Sequence, residues 1–277
     1  MKNEILRRLS ALALGLALLL NAAPLPQAFA VEDDTDASSS DSADSTDTAD
    51  KTAVTTADSD PTVTAAAANA PALDATAALL VSPESDMVLY EKNADEKRYP
   101  ASTTKIMTAL LTLENVSDLS VVVTAEASDF ENVTSDSSNA GIKVGEQVTV
   151  KDLLYALMLP SANEAAYMLA RHVGGSWEQF VDMMNERAAE LGCTGTHFCN
   201  PCGLHEDDHY TTAHDLYLIA KEAMKDATFR DIVSTVQHRM AKTNLHEERI
   251  ILTTNQLIFS SFQPWSYANC LGIKTGH

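Results

Sequence analysis

Three short polar motifs lie far apart in the chain, and each contains residue types that can perform acyl transfer. The first, Ser102-Thr103-Thr104-Lys105, places a hydroxyl and an amine three residues apart. On a helix this spacing puts both side chains on one face, so the amine can take the proton of the hydroxyl. The motif therefore predicts Ser102 as a nucleophile and Lys105 as its base, provided that burial lowers the pKa of the lysine.

The second motif, Ser161-Ala162-Asn163, directly follows Pro160 and places a hydroxyl and an amide two residues apart. On a bent segment both side chains can point into one cavity. Ser161 could then relay a proton between Lys105 and a leaving group, and Asn163 could hold a substrate amide with its donor and acceptor. Taken alone, the motif also fits an ordinary helix start with Ser161 or Asn163 as the N-cap.

The third motif, Lys274-Thr275-Gly276-His277, follows the apolar residues 271–273 and is predicted to lie on a strand. A glycine allows a ligand to approach a strand closely, and Lys274 and Thr275 would then meet an anionic group of that ligand. Taken alone, the motif is better explained as a polar strand end.

The order and spacing of the three motifs carry more weight than any one of them. S-x-x-K, S-x-N and K-T-G follow one another at intervals of roughly 60 and 110 residues, and penicillin-binding proteins and serine β-lactamases share this set. The sequence therefore predicts one pocket for serine acyl transfer. It would be formed by Ser102, Lys105, Ser161, Asn163 and residues 274–277.

The segments around the motifs indicate a mixed architecture of helices and strands. Apolar periodicity predicts a helix from Ser102 onwards and further helices at 150–159, 163–173, 177–191 and 213–225. Extended segments are predicted at 77–81, 87–91, 119–124, 142–150, 248–259 and 269–275. Thr149, with Asp152, and Thr212 are predicted N-caps. Strands at both ends and helices between them predict an α+β domain with an antiparallel sheet made from both termini and a helical cluster.

The N-terminal part of the chain is predicted to be an export signal and a spacer. Basic residues precede an apolar run over 9–20, and Ala28-Phe29-Ala30 is a small-x-small cleavage site, so residues 1–30 are a predicted signal peptide. Residues 31–74 are a Ser/Thr/Asp-rich segment with eleven acidic residues and one lysine, which predicts a disordered linker. The folded part, predicted as the catalytic domain, is 75–277.

Composition excludes some classes of function. The chain has 277 residues, of which 45% are hydrophobic, and a formal net charge of −20. A chain this acidic, without a basic stripe and with few aromatic residues, is a poor candidate for binding nucleic acid. The hydrophobic fraction is sufficient for one sizeable core.

The four cysteines allow several interpretations. An even number of cysteines in an exported chain permits disulfides, and Cys199 and Cys202 have the C-x-x-C spacing of a redox pair. Histidines near this pair also permit a zinc site. Free thiols are the third possibility, and Cys193 and Cys270 have no obvious partner.

The chain resembles the low-molecular-weight penicillin-binding proteins that act as serine-type D-alanyl-D-alanine carboxypeptidases. The resemblance covers residues 77–277 and includes the three motifs. Alanine at position 162 resembles the pattern of this group, whereas class A β-lactamases more often have aspartate at that position. Supporting stretches are 99–105, 158–166, 196–198, 200–201, 203–205, 209–213, 254–255 and 272–277.

The resemblance implies a penicillin-binding transpeptidase fold, and a peptidoglycan stem pentapeptide ending in D-Ala-D-Ala as the substrate. Ser102 would attack the penultimate D-Ala carbonyl, and the backbone N–H groups of Ser102 and His277 would bind the oxyanion. Lys274 and Thr275 would hold the terminal carboxylate. β-Lactam antibiotics would acylate Ser102 as inhibitors, and the resemblance implies no metal or organic cofactor. The implied location is outside the cell, at the wall face of the bacterial cytoplasmic membrane.

Compared with that family, the chain is expected to be C-terminally incomplete, with the sheet open beyond His277 and membrane attachment possible only through a missing C-terminal anchor. Three alternatives stay open at this point. One is a serine β-lactamase, and the second is a peptidoglycan endopeptidase of the same fold. The third is a non-catalytic module that binds the wall or senses penicillin.

Overall fold

The computed structural model describes residues 72–134, 136–259 and 266–276. The predicted signal peptide and nearly all of the predicted linker lie outside these residues, as does His277. The described helices are α1 Lys105–Asn115, α2 Val150–Met158, α3 Asn163–Gly174, α4 Trp177–Glu190, α5 Ala213–Ala223 and α6 Ala227–Val233. The described strands are β1 Ala78–Ser82, β2 Met87–Lys92, β3 Val122–Thr124, β4 Gln147–Thr149, β5 Gln237–Met240 and β6 Arg249–Leu252.

A helical core lies at the centre of the folded part. The first two turns of α1 and the first eight residues of α3 are buried, and α1, α2 and α4 all pack against α3. The small side chains of Ala165, Ala166 and Ala170 are fully buried, which lets neighbouring helices approach closely. Because packing inside a core is dense and side chains occupy fixed rotamers, this cluster provides a rigid base for side chains at the helix starts. None of the described helices is long and apolar enough to cross a membrane.

Helix starts follow the capping signals in the sequence. The Thr149 hydroxyl accepts a hydrogen bond from the Asp152 backbone N–H at 3.0 Å, and Thr212 does the same for Asp215 at 3.0 Å. These bonds satisfy N–H groups that have no partner inside the helix. Both predicted caps are therefore confirmed, and α2 ends two residues before Pro160, as a proline requires.

The strands form three separate antiparallel pairs. β1 pairs with β2, β3 with β4 and β5 with β6. The α+β class and the strands predicted at 77–81 and 87–91 are confirmed. The prediction of one sheet built from both termini is wrong for the described residues, because no ladder joins the β1–β2 pair to the β5–β6 pair.

Two further sequence predictions need correction, and two elements were missed. Residues 269–275, predicted as a strand, make no ladder among the described residues. The extended segment predicted over 248–259 contains β6 but ends in a 3₁₀ turn at Gln256–Ile258. The elements α6 and β5 were not predicted. Helix α6 is only seven residues long, too short for apolar periodicity to stand out.

A buried carboxylate connects the β5–β6 hairpin to the loop before β4. Glu146 is fully buried, and its carboxylate accepts hydrogen bonds from Arg249 at 2.7 Å, from the Thr243 hydroxyl at 2.9 Å and from the Lys143 backbone N–H at 3.0 Å. The hydrogen bonds of this carboxylate are therefore made to protein groups and not to solvent. A buried charge with complete hydrogen bonding is tolerated, but loss of one partner leaves the others unpaired.

We expect Glu146→Gln to lower the free energy of unfolding by about 2–3 kcal/mol, because Arg249 would face a neutral group and one donor would be opposed to another. Thermal unfolding followed by circular dichroism measures the loss. Glu248→Gln is the matched control, since Glu248 pairs with Arg239 on the exposed side of the same hairpin. Equal melting temperatures for the two variants would contradict the structural role of Glu146.

Candidate active site

The predicted nucleophile lies on a short turn directly before α1. Ala101 has a positive φ of 47°, and residues Ala101–Thr104 form a 3₁₀ turn that runs into α1 at Lys105. The Thr103 hydroxyl donates to the Pro100 carbonyl at 2.6 Å, which fixes this turn. The helix was predicted to start at Ser102. The tighter 3₁₀ turn takes its first residues, and it still places the hydroxyl and the amine on one face.

Lys105 is fully buried, and its amine touches the predicted nucleophile. Its Nζ atom donates to Ser102 Oγ at 3.2 Å, to Asn163 Oδ1 at 2.8 Å and to the Cys202 carbonyl at 2.6 Å. Burial disfavours the ammonium and lowers the pKa of Lys105 to about 8, although the Cys202 thiol and the Glu164 carboxyl oppose this shift. A lysine with this pKa can act as a base near neutral pH.

Ser161 has the geometry of a residue held for a purpose other than capping. It is a non-glycine residue with a φ of 68°, and its buried Oγ has no hydrogen-bond partner. Positive φ at such a residue costs free energy, and a buried hydroxyl without a partner costs more. The capping alternative is wrong for this motif, because Ala162 occupies the N-cap of α3 without a side-chain bond and the Asn163 amide binds Lys105.

The third motif reaches the same region by a different route. Gly276 lies against the nucleophile turn, since a Cβ added there would be 3.1 Å from the Pro100 carbonyl oxygen. The Thr275 hydroxyl is hydrogen-bonded to the Thr254 hydroxyl at 2.6 Å. An open cavity of about 560 Å³ begins here, lined by Thr253, Thr254, Gln256, Phe259, Thr275 and Gly276. His277 lies outside the described residues.

Lys274 is the second low-pKa lysine of the site. Burial, and to a smaller extent the positive charge of Lys105, lower its pKa to about 7. Its Nζ atom donates to the Thr275 carbonyl at 2.9 Å. The structure thus brings Ser102, Lys105, Asn163 and Lys274 together. Within the described part of the chain, Lys105 is the one lysine hydrogen-bonded to the Ser102 hydroxyl, so geometry selects Lys105 as the base.

Two further residues support the nucleophile turn, and motif reasoning assigned them no role. The fully buried His209 ring is bonded to the Thr104 hydroxyl at 2.8 Å and to the Cys199 backbone N–H at 3.0 Å. Burial lowers the pKa of His209 to about 4, so the ring is neutral. Its Nδ1 atom then accepts from Cys199, and its Nε2–H donates to Thr104. Cys202 contributes a backbone carbonyl, which no residue-type pattern can reveal.

The cysteines of the described residues are all free thiols. Burial raises the pKa of Cys202, which reduces its reactivity. Within the described ranges, no group of three or more His, Cys, Asp or Glu side chains is placed to hold a metal ion. Neither the redox pair nor the zinc site considered for Cys199 and Cys202 gains support from this arrangement.

The chain is similar to known D-alanyl-D-alanine carboxypeptidases. A sequence profile of the S11 peptidase family, described as D-alanyl-D-alanine carboxypeptidase, matches residues 64–277. The D-alanyl-D-alanine carboxypeptidase DacF of Bacillus subtilis is 35% identical over 205 residues, which are 74% of this chain and 51% of that protein. A D-alanyl-D-alanine carboxypeptidase of Streptomyces strain K15 is 36% identical over 68% of this chain and 67% of its own length.

Solved structures give the same picture. The crystal structure of the Streptomyces K15 DD-transpeptidase aligns with a TM-score of 0.68 at 35% identity, and covers 75% of this chain and 81% of that one. A penicillin-binding protein homologue from Mycobacterium tuberculosis aligns with a TM-score of 0.67 at 31% identity, over 75% of this chain and 74% of its own. This chain spans about half the length of the Bacillus relative.

Proposed function

The chain belongs to the D-alanyl-D-alanine carboxypeptidase family, and we propose that it removes the terminal D-alanine from peptidoglycan stem pentapeptides through an acyl-enzyme on Ser102. The observation that carries this proposal is the contact between Lys105 Nζ and Ser102 Oγ in a buried pocket. The low pKa of Lys105 makes the amine a usable base. The β-lactamase and endopeptidase alternatives have no comparable support among the relatives.

In the proposed acylation, Ser102 Oγ attacks the carbonyl carbon of the penultimate D-alanine while its proton passes to Lys105 Nζ. The carbonyl oxygen becomes an oxyanion, which backbone N–H groups at Ser102 and His277 would stabilise. When the peptide C–N bond breaks, the leaving amine takes a proton from Lys105. The unpartnered hydroxyl of Ser161 is available to pass it on.

The proposed deacylation restores the enzyme. Water attacks the ester carbon and gives a proton to Lys105, which passes it to Ser102 Oγ as the ester C–O bond breaks, and the shortened peptide leaves with a free carboxylate. Asn163 would orient the substrate amide, while Lys274 and Thr275, with Gly276 leaving room, would bind the terminal carboxylate. No step needs a metal or organic cofactor, because each proton has a donor and an acceptor among these residues.

DD-transpeptidation is a second candidate, because the Streptomyces K15 structure is named for it. Both reactions share the acyl-enzyme and differ in the acceptor, which is water in one and an amine in the other. Adding a glycine-ended acceptor peptide to the assay separates them: a crosslinked product indicates transfer, and free D-alanine alone indicates hydrolysis.

We also propose that the chain is exported by a signal peptide at 1–30 and works on the wall face of the membrane. Its partners would be the stem peptide and β-lactam antibiotics. The linker at 31–74 and the catalytic domain from 75 onwards complete this organisation.

The test of the function is labelling of the full chain with a fluorescent penicillin, followed by a pentapeptide assay. We expect one stable label per chain, located on Ser102 by peptide mapping, and release of D-alanine from the pentapeptide. Ser102→Ala should abolish both signals, since the Ser102 hydroxyl is the one hydroxyl hydrogen-bonded to Lys105 among the described residues. Ser234→Ala is the control, because Ser234 lies on the exposed end of α6. Label retained by Ser102→Ala would overturn the proposal, and rapid loss of label would indicate a β-lactamase.

A further inference from the structure

The loop that follows Phe198 contacts the Lys105 amine and lies against the backbone of Ala101 and Ser102, and a single buried side chain organises it. Asn200 is 2% exposed. Its Oδ1 atom accepts from the backbone N–H groups of Cys202 at 3.2 Å, Gly203 at 2.7 Å and Leu204 at 3.1 Å. Its Nδ2 atom donates to the Leu204 carbonyl at 2.8 Å and to Glu206 at 2.9 Å. Three N–H donors on one side fix which end of the amide is the oxygen.

The loop held by Asn200 grips helix α1 at two successive turns. The Cys202 carbonyl accepts from Lys105 Nζ at 2.6 Å, and the Pro201 carbonyl accepts from the Thr108 hydroxyl at 2.6 Å. Lys105 and Thr108 are three residues apart and share one face of the helix. Two neighbouring carbonyls of the loop are thus placed to bind two side chains that are one helical turn apart.

The carbonyl of Cys202 determines where the lone pair of Lys105 points. When neutral, the amine has two N–H donors and one lone pair. Asn163 Oδ1 and the Cys202 carbonyl, at 2.8 and 2.6 Å, are the nearer acceptors and take the two N–H groups. The remaining tetrahedral direction then faces Ser102 Oγ, at 3.2 Å. Without the carbonyl at this place, the amine can rotate and the lone pair is no longer aimed at the nucleophile.

We propose that Asn200 is a positioning residue for acylation, because it holds the Cys202 carbonyl that orients the Lys105 amine towards Ser102. This inference rests on the proposed function. Among the described contacts, the Asn200 side chain makes no hydrogen bond to Ser102 or Lys105; its partners belong to the loop itself. A misplacement of about 1 Å at a base is enough to cost on the order of 10²-fold in rate.

The loop also keeps water away from Lys105. The ionisable groups around the amine are the Glu164 carboxyl on α3, the Cys202 thiol of the loop and Lys274 of the third motif. Burial is the largest influence on the pKa of Lys105 and lowers it. Release of the loop hydrates the ammonium, which raises the pKa towards its ordinary value. The rise of the acylation rate with pH should therefore move to higher pH when Asn200 is replaced.

The experiment measures the second-order rate of penicillin labelling of the full chain between pH 6 and pH 10. We expect Asn200→Ala to be about 30-fold slower than the unmodified chain at pH 7, with its rising limb displaced to higher pH by roughly one unit. Asn185→Ala is the matched control. The Asn185 amide also binds backbone groups, those of Val181 and Phe198, but it does not hold the Cys202 carbonyl. It should label within about threefold of the unmodified chain, with an unmoved limb.

A second variant covers the case in which Asn200→Ala fails to fold. Asn200→Asp keeps the oxygen that binds three backbone N–H groups, but its carboxylate faces Glu206 and the Leu204 carbonyl. The loosened contact and the added negative charge both favour the ammonium, so the limb should again move to higher pH. An unmoved limb and an unchanged rate in a folded variant would overturn the role of Asn200. Failure of the unmodified chain to label would overturn the proposed function itself and this inference with it.

Discussion

Replacement of Lys105 by glutamine is expected to slow acylation of Ser102 by about 10³-fold or more, equivalent to about 4 kcal/mol of transition-state stabilisation. The amide has nearly the length of the amine but cannot accept the serine proton. Lys274 does not replace it, because its Nζ atom is bonded to the Thr275 carbonyl and not to Ser102. The rate of penicillin labelling measures the loss.

The role of Lys105 as a base also predicts how the labelling rate changes with pH. The charged amine cannot act as a base, so the rate of the unmodified chain should rise with pH through the Lys105 pKa of about 8 and level off above it. Lys151→Gln is the control, since Lys151 lies exposed on α2. Labelling of Lys105→Gln within tenfold of the unmodified rate would contradict the role of Lys105, as would a flat profile between pH 6 and pH 9.

Gly203→Ala is expected to disrupt the site through the backbone alone. Gly203 has a φ of 88°, and a Cβ at this position would lie 1.8 Å from the Ala101 carbonyl oxygen. That contact is shorter than any non-bonded approach and involves backbone, so the loop or the nucleophile turn has to move. We expect a loss of about 4 kcal/mol or more in the free energy of unfolding, and labelling of Ser102 slowed at least tenfold.

The control for this variant separates the clash from the cost of the backbone angle. Gly192 has a φ of 84°, yet an added Cβ would meet nothing within 4 Å. Gly192→Ala should therefore cost only about 1–2 kcal/mol, the cost of a left-handed conformation at a residue with a side chain. Thermal melts and labelling rates of both variants provide the comparison. Similar values for the two would show that the contact with Ala101 is unimportant.

Local rules in the sequence predicted much of the helical part. Thr149 and Thr212 were recognisable as caps because each is followed three residues later by an aspartate in an apolar-periodic segment. Sheet topology was predicted less well. Apolar runs indicate strands but do not say which runs pair, because pairing depends on contacts between residues distant in the chain.

For the site, residue type was informative where the chemistry belongs to a side chain. Ser102, Lys105 and Asn163 were identified from the first two motifs, and they meet in the structure. The Cys202 carbonyl could not be identified in this way, since every residue has a carbonyl and only the loop conformation selects one. Gly203 did carry a signal, because a glycine in a loop often marks a close backbone approach.

Lys274 and Lys105 are close enough for the charge of one to lower the pKa of the other. Thermodynamic linkage then makes the proton content of the pair depend on what is bound. A carboxylate beside Lys274 favours its ammonium, and that positive charge in turn drives Lys105 towards the neutral form. In the proposed mechanism, a ligand with an anionic end would thereby help to generate the base that activates Ser102, whereas a neutral-ended peptide would give no such assistance. The protonation equilibrium of the empty pocket would therefore already favour ligands with an anionic end over neutral-ended peptides.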